Sequence, residues 1–99
     1  MRLTEQQKKV ICDSVAEVFG EKCKARLFGS RLDDQAKGGD IDLLMECWAP
    51  VDNAGLAAAR LAARIQMRIG ECKIDVLYAW PGMVLSPAHR AALEQGEEF

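Results

Sequence analysis

The sequence predicts a small α+β fold in which a β-sheet of three or four strands carries packed helices, the whole of residues 1–99 forming a single domain. Two kinds of periodicity predict it. Apolar residues recur at three- to four-residue spacing from Val10 to Phe19 and again from Leu61 to Ile69, as on one face of a helix. Three short runs, 24–28, 40–47 and 73–79, instead alternate or concentrate apolar residues as half-buried or buried strands do. With 99 residues there is room for one modest core, burying roughly 60–65% of the unfolded surface.

Taken in order, Thr4 with Gln7 three residues on forms a capping box. Val10, Ile11, Val15, Val18 and Phe19 make one apolar helix face, and Gly20 ends it. Residues 21–23 read as a turn, and 24–28 as a half-buried strand that delivers Gly29 and Ser30 to its end. In the loop 32–39, Asp33 and Asp34 are expected to bond their own backbone or water, and Gly38 and Gly39 permit a tight reversal. The run 40–47 is the second strand, with Ile41, Leu43, Met45 and Cys47 on its buried face. Leu44 makes its other face apolar as well, as in a central strand covered on both sides. Trp48 at its end is a packing residue or a platform on which a base stacks.

Asp52 or Asn53 is expected to cap the next helix, which runs to about Ile69 and ends at Gly70. Leu61, Ile65 and Ile69 form its apolar stripe. Arg60, Arg64 and Arg68 form a second stripe at the same period, read as a solvated face, a docking surface for an acidic partner, or a reach toward a triphosphate. After the strand 73–79, Trp80-Pro81-Gly82 breaks the chain and Ser86-Pro87 starts a last short helix through Gln95. His89 within it is expected on the solvated surface.

The formal charge of −2 and a pI near 5.4 argue against gripping nucleic acid chiefly by phosphate neutralisation. They leave room for a small nucleotide held with Mg²⁺. Nothing resembles a signal peptide and no apolar run approaches the roughly 20 residues of a membrane span, so a cytoplasmic protein is the expectation. Cys12, Cys23, Cys47 and Cys72 contain no Cys-x-x-Cys pair, which argues against zinc. They read as small buried hydrophobes or inert thiols.

The chemistry concentrates in Leu27-Phe28-Gly29-Ser30-Arg31 and Gly38-Gly39-Asp40-Ile41-Asp42-Leu43-Leu44. On a strand, Asp40 and Asp42 share a face about 6–7 Å apart at the backbone, and a divalent cation between them would relieve their repulsion. Gly29 lets the backbone approach a ligand closely, Ser30 offers a hydroxyl and an N–H, and Arg31 can bond phosphate oxygens. Further on, Asp75 interrupts the apolar run Ile74 to Leu77. Burying it unpartnered would be costly, so it needs an ion pair with Lys73 or an arginine, or a metal site.

Gly29-Ser30 followed by the run from Gly38 to Leu44 resembles the signature of the DNA polymerase beta nucleotidyltransferase superfamily, and is most similar to its minimal nucleotidyltransferase (MNT) family. The resemblance covers most of the chain in element order, with about twenty positions carrying the motif. It implies the small mixed sheet of the polymerase beta-like fold, with Gly29, Ser30 and Arg31 binding ATP or another nucleoside triphosphate. It further implies that Asp40, Asp42 and, as third carboxylate, Asp75 hold one or two Mg²⁺ ions and carry catalysis.

MNT proteins often act as antitoxins beside a HEPN-type ribonuclease toxin, and some transfer AMP to a tyrosine of that toxin. The expectation is therefore an Mg²⁺-dependent protein adenylyltransferase working as an antitoxin in a hetero-oligomer with its toxin. A binding-only antitoxin that masks its partner is the alternative. Transfer to a small aminoglycoside-like molecule is disfavoured because 99 residues are expected to form one domain, with no second domain to hold such a substrate.

Overall fold

The structure, a computed structural model, describes residues 4–28, 41–70 and 72–98. Gly29, Ser30, Arg31 and Asp40 of the expected site lie outside the described residues. In chain order the elements are α1 (Glu5–Phe19), a 3₁₀ turn (Gly20–Lys22), β1 (Cys23–Phe28), β2 (Ile41–Cys47), α2 (Ala54–Ile69), β3 (Ile74–Ala79), α3 (Pro87–Gln95) and β4 (Glu97–Glu98). The four strands form one mixed sheet in the order β3-β2-β1-β4, antiparallel between β1 and both its neighbours and parallel between β2 and β3. The fold is α+β, as the periodicities predict.

The helix ends follow local chemistry. The Thr4 hydroxyl accepts the Gln7 N–H (3.1 Å) while the Gln7 side chain accepts the Thr4 N–H (2.9 Å), closing the capping box at the start of α1. Gly20 and Gly70 end α1 and α2 at φ of 64° and 99°, a region open mainly to glycine. The start of α2 departs from expectation, because Asn53 makes no side-chain capping bond. Its own backbone is left-handed (φ 52°), which Asn tolerates, and its carbonyl accepts the Ala57 N–H.

Two faces of the sheet are covered. Ile41, Leu43, Met45 and Cys47 of β2, with Cys23, Ala25 and Leu27 of β1, pack against Ile11, Val15 and Phe19 of α1 and Leu61 and Ile65 of α2. Leu44 points to the opposite face and is also fully buried, on the side where α3 crosses the strands and buries Ala92. β2 is thus the central strand the sequence predicts. β3 lies at the edge, and none of its residues is fully buried.

Cys23 belongs to β1 rather than to a turn, and this changes the reading of the cysteines. The register sets it directly opposite Cys47, with Cα atoms 4.2 Å apart, and the two form a disulfide. They are therefore neither inert thiols nor mere space-fillers. Among the described residues no helix is long and apolar enough to cross a membrane.

Candidate active site

The register builds the site at one end of the sheet. Asp42 is the second residue of β2 and pairs with Phe28, the last residue of β1, on one side and with Asp75, the second residue of β3, on the other. Directly opposed residues point to the same face, so Phe28, Asp42 and Asp75 form one row across three strands. The two carboxylate-bearing strands stand about 4.8 Å apart. Gly29 and Ser30 follow Phe28 in the chain, and Asp40 precedes Ile41, whose N–H donates to the Lys73 carbonyl (2.8 Å). The structure therefore brings Asp42 and Asp75 together and has β1 end beside them.

Asp75 departs from the buried position that the apolar run around it suggests. It is not buried: β3 is an edge strand and the Asp75 side chain is 52% exposed. Its carboxylate faces the Lys73 ammonium at 3.8 Å, a loose contact between two solvated groups. Two hard oxygen donors side by side on one face, the outer one only loosely compensated, fit a divalent cation such as Mg²⁺. Among the described residues no group of three or more metal-ligating side chains occurs. Two of the three expected carboxylates are described and adjacent.

The rest of this face has structural duties. Glu46, two pairs along from Asp42, forms an ion pair with Arg26 of β1, whose guanidinium also reaches the Gly96 carbonyl at 3.4 Å. It is not part of the carboxylate row, as its position in the strand indicates. Arg26 received no role from the sequence; the available signal was a long cation at a position that faces the α3 side of a half-buried strand.

Other expected residues fall elsewhere. Trp48 is at the far end of β2, about 20 Å from Asp42 at the usual strand rise, too far to stack on a base whose phosphates sit at the carboxylates. It is 59% exposed, donates its Nε1–H to the Glu21 carbonyl (3.1 Å) and lies under Lys24. With Val18, Phe19, Lys22 and Cys23 it lines a cleft of about 460 Å³ at that end. The arginine stripe is partly spoken for within the chain. Arg64 and Arg68 pair with Glu17 of α1 at 3.3 and 2.8 Å, and Arg68 also donates to the Ser14 hydroxyl, so these two clamp α1 to α2. The Arg68 hydrogen bond, with both guanidinium charges, holds the Glu17 carboxyl below its ordinary value.

His89 is not simply solvated. Its Nδ1 accepts the Ser86 N–H (3.1 Å) in the capping box of α3, and its Nε2 donates to the Tyr78 carbonyl (2.8 Å). These partners fix the tautomer with hydrogen on Nε2. Ser86 Oγ lies 2.7 Å from Nδ1, but the pair is a helix cap. Its ring nitrogens serve backbone groups, so it is not a nucleophile with its base.

No protein-family model, curated protein or solved structure matches this chain at a significant level.

Proposed function

We propose that this chain is an Mg²⁺-dependent nucleotidyltransferase that transfers AMP from ATP to a hydroxyl, tyrosine foremost, of a HEPN-type toxin, and so acts as an antitoxin. The observation that carries the reading is the pairing of Asp42 with Asp75 on adjacent parallel strands, in a row with the end of the strand that leads into Gly29-Ser30. Like charges directly opposed destabilise a sheet, and a divalent cation held between the two carboxylates would remove that cost.

In this reading Asp42, Asp75 and Asp40 would hold the metal, which when bound supplies charge neutralisation for the triphosphate and its leaving group. Gly29, Ser30 and Arg31 would bind the phosphates. The acceptor oxygen forms a bond to the α-phosphorus as the bond from that phosphorus to the α,β-bridging oxygen breaks. Pyrophosphate leaves with the bonding pair, and the acceptor proton passes to an Asp75 oxygen and on to water. Asp75, the more exposed member of the row, is the one open to an incoming acceptor.

The test uses ATP labelled at its α-phosphate, mixed with Mg²⁺, this protein and an extract of its native host, with Asp40→Asn/Asp42→Asn as control. Label on a second protein only with the unmutated chain is the expected result. Equal labelling with both, while a toxin copurifies, would assign the binding-only reading. That alternative draws on one feature: α2 leaves Leu56 and Met67 exposed on its outer face and carries no acidic residue. Contact with an acidic, apolar surface would cover it.

A further inference from the structure

We propose that the outer edge of β3 is the docking strip for the acceptor, which binds there as an added, extended β-strand alongside residues 74–76. The inference rests on the nucleotidyltransferase reading above and deepens it by assigning how the acceptor is held. In a parallel pair, the N–H and C=O of one residue point to the same side of the strand, and the side alternates along the chain. The Ile41 N–H donates to the Lys73 carbonyl, so Lys73, Asp75, Leu77 and Ala79 turn their backbone groups toward β2. Ile74, Val76 and Tyr78 turn theirs outward.

The outward groups are treated unequally. The Tyr78 carbonyl accepts the His89 Nε2–H at 2.8 Å, so α3 closes that end of the edge. Among the described residues no backbone group pairs with Ile74 or Val76 from outside the sheet. Exposed edges are normally blunted by charge, proline, bulges or brevity. β3 has six residues, no proline and one charge, Asp75. Its apolar residues are all partly exposed, whereas Ile41, Leu43, Leu44 and Met45 of β2 are at 0%.

Unpaired, alternating donors and acceptors match the backbone of an extended chain, as in recognition by strand addition; a helix has satisfied its own. The charge pattern selects the occupant. A second copy paired antiparallel about this short strip would set one Asp75 opposite the other, next to both copies of Asp42, which opposes self-pairing. A foreign segment with a neutral hydroxyl residue at that level meets no such penalty. Its side chain would continue the row Asp42, Asp75 on the same face of the sheet, next to the carboxylate assigned to take the proton.

The probe is a synthetic peptide of alternating valine and glutamine about one central tyrosine, with lysine at each end. Binding is read by fluorescence anisotropy, and transfer by the mass of AMP added to the tyrosine in the presence of ATP and Mg²⁺. Val76→Pro removes one outward N–H and spares the bonds to β2. It is expected to weaken peptide binding about tenfold or more, with the fold verified by melting. In the unmutated chain, peptide should slow hydrogen exchange at the Ile74 and Val76 amides about tenfold or more, an outcome that needs no variant.

No binding at millimolar peptide, binding without slowed exchange at these amides, or equal binding by folded Val76→Pro would each overturn the proposal. A dimer of this chain that Val76→Pro dissociates would overturn the assigned occupant in favour of a second copy. Edge-dependent binding without AMP transfer supports the docking strip and overturns the nucleotidyl-transfer reading, so the two fail separately.

Discussion

Asp75→Asn separates a carboxylate kept for chemistry from one kept for stability. In the fold two small effects oppose each other. Removing the charge relieves repulsion from Asp42, which at about 5 Å in a water-like dielectric is worth about 0.8 kcal/mol. It also removes the pair with Lys73, whose partners are 52% and 68% exposed at 3.8 Å, a geometry worth about 0–1 kcal/mol. The net change should lie within about 1 kcal/mol of zero, or less than about 8 °C in melting temperature for a domain of this size. Ligand linkage should change much more. On the proposed function, saturation with ATP and Mg²⁺ at about a hundred times the dissociation constant should add about 2.7 kcal/mol to the unmutated chain, and Asp75→Asn should lose most of it. Thermal melts with and without Mg²⁺ and ATP measure both numbers. A loss above about 3 kcal/mol without ligand, the signature of a broken buried charge pair, would refute the reasoning, as would an undiminished gain with ligand.

Three further outcomes follow from contacts away from the carboxylates. Glu17 titrates below its ordinary value of 4.5 because of Arg68 and Arg64, so its contribution is present above about pH 4.5 and is lost as pH falls through the lower folded value. The melting temperature of the unmutated chain should drop more steeply in that acid window than that of Glu17→Gln. Reducing the Cys23–Cys47 bond, which spans a sequence separation of 24, should cost up to roughly 3.5 kcal/mol on the chain-entropy account, read as a lower melting temperature in dithiothreitol that Cys23→Ala does not show. The Tyr78 hydroxyl donates to the Ala54 carbonyl at 2.7 Å, and burial raises its pKa above 10.0. Tyr78→Phe should therefore cost about 1 kcal/mol near neutrality and abolish the part of the alkaline destabilisation that begins as pH rises above the ordinary value of 10.0 and is complete above the raised folded value, as urea unfolding against pH would report.

Much of the fold was legible because the period of the pattern matches the element: residues 41–47 alternate around a buried face, and α1, α2 and α3 stop and start close to where their caps and glycines indicate. What was not legible depends on register and strand order. A slip of two residues between β1 and β2 keeps every side chain on its face, so nothing local in the sequence pairs Cys23 with Cys47. The apolar run around Asp75 reads as a buried strand, and only the order β3-β2-β1-β4 reveals it as an edge whose aspartate is half in water. His89 reads as solvated surface in the sequence because its ring serves the Tyr78 carbonyl and the Ser86 N–H, backbone groups that leave no trace in side-chain patterning.

The mixed sheet also explains why so short a chain can place distant motifs together. α2 carries the chain from the end of β2 back to the start of a parallel β3, so the second residue of one strand lies beside the second residue of the other. An antiparallel β3 in this place would have set its last residues beside Asp42, and Asp75 would stand near Glu46 at the other end. β1 contributes by the opposite device: being antiparallel, it offers its final residue, Phe28, to Asp42 and leads into Gly29 and Ser30 from there. The same pairing sends the start of β1 to the far end, where Cys23 meets Cys47 and Trp48 lies under Lys24. The sheet is thus cross-linked at one end and carries its two adjacent carboxylates at the other. A lengthening of β2 by one residue between Asp42 and Cys47 would set these ends against each other, because the register could then satisfy either the disulfide or the Phe28–Asp42–Asp75 row, but not both without a bulge.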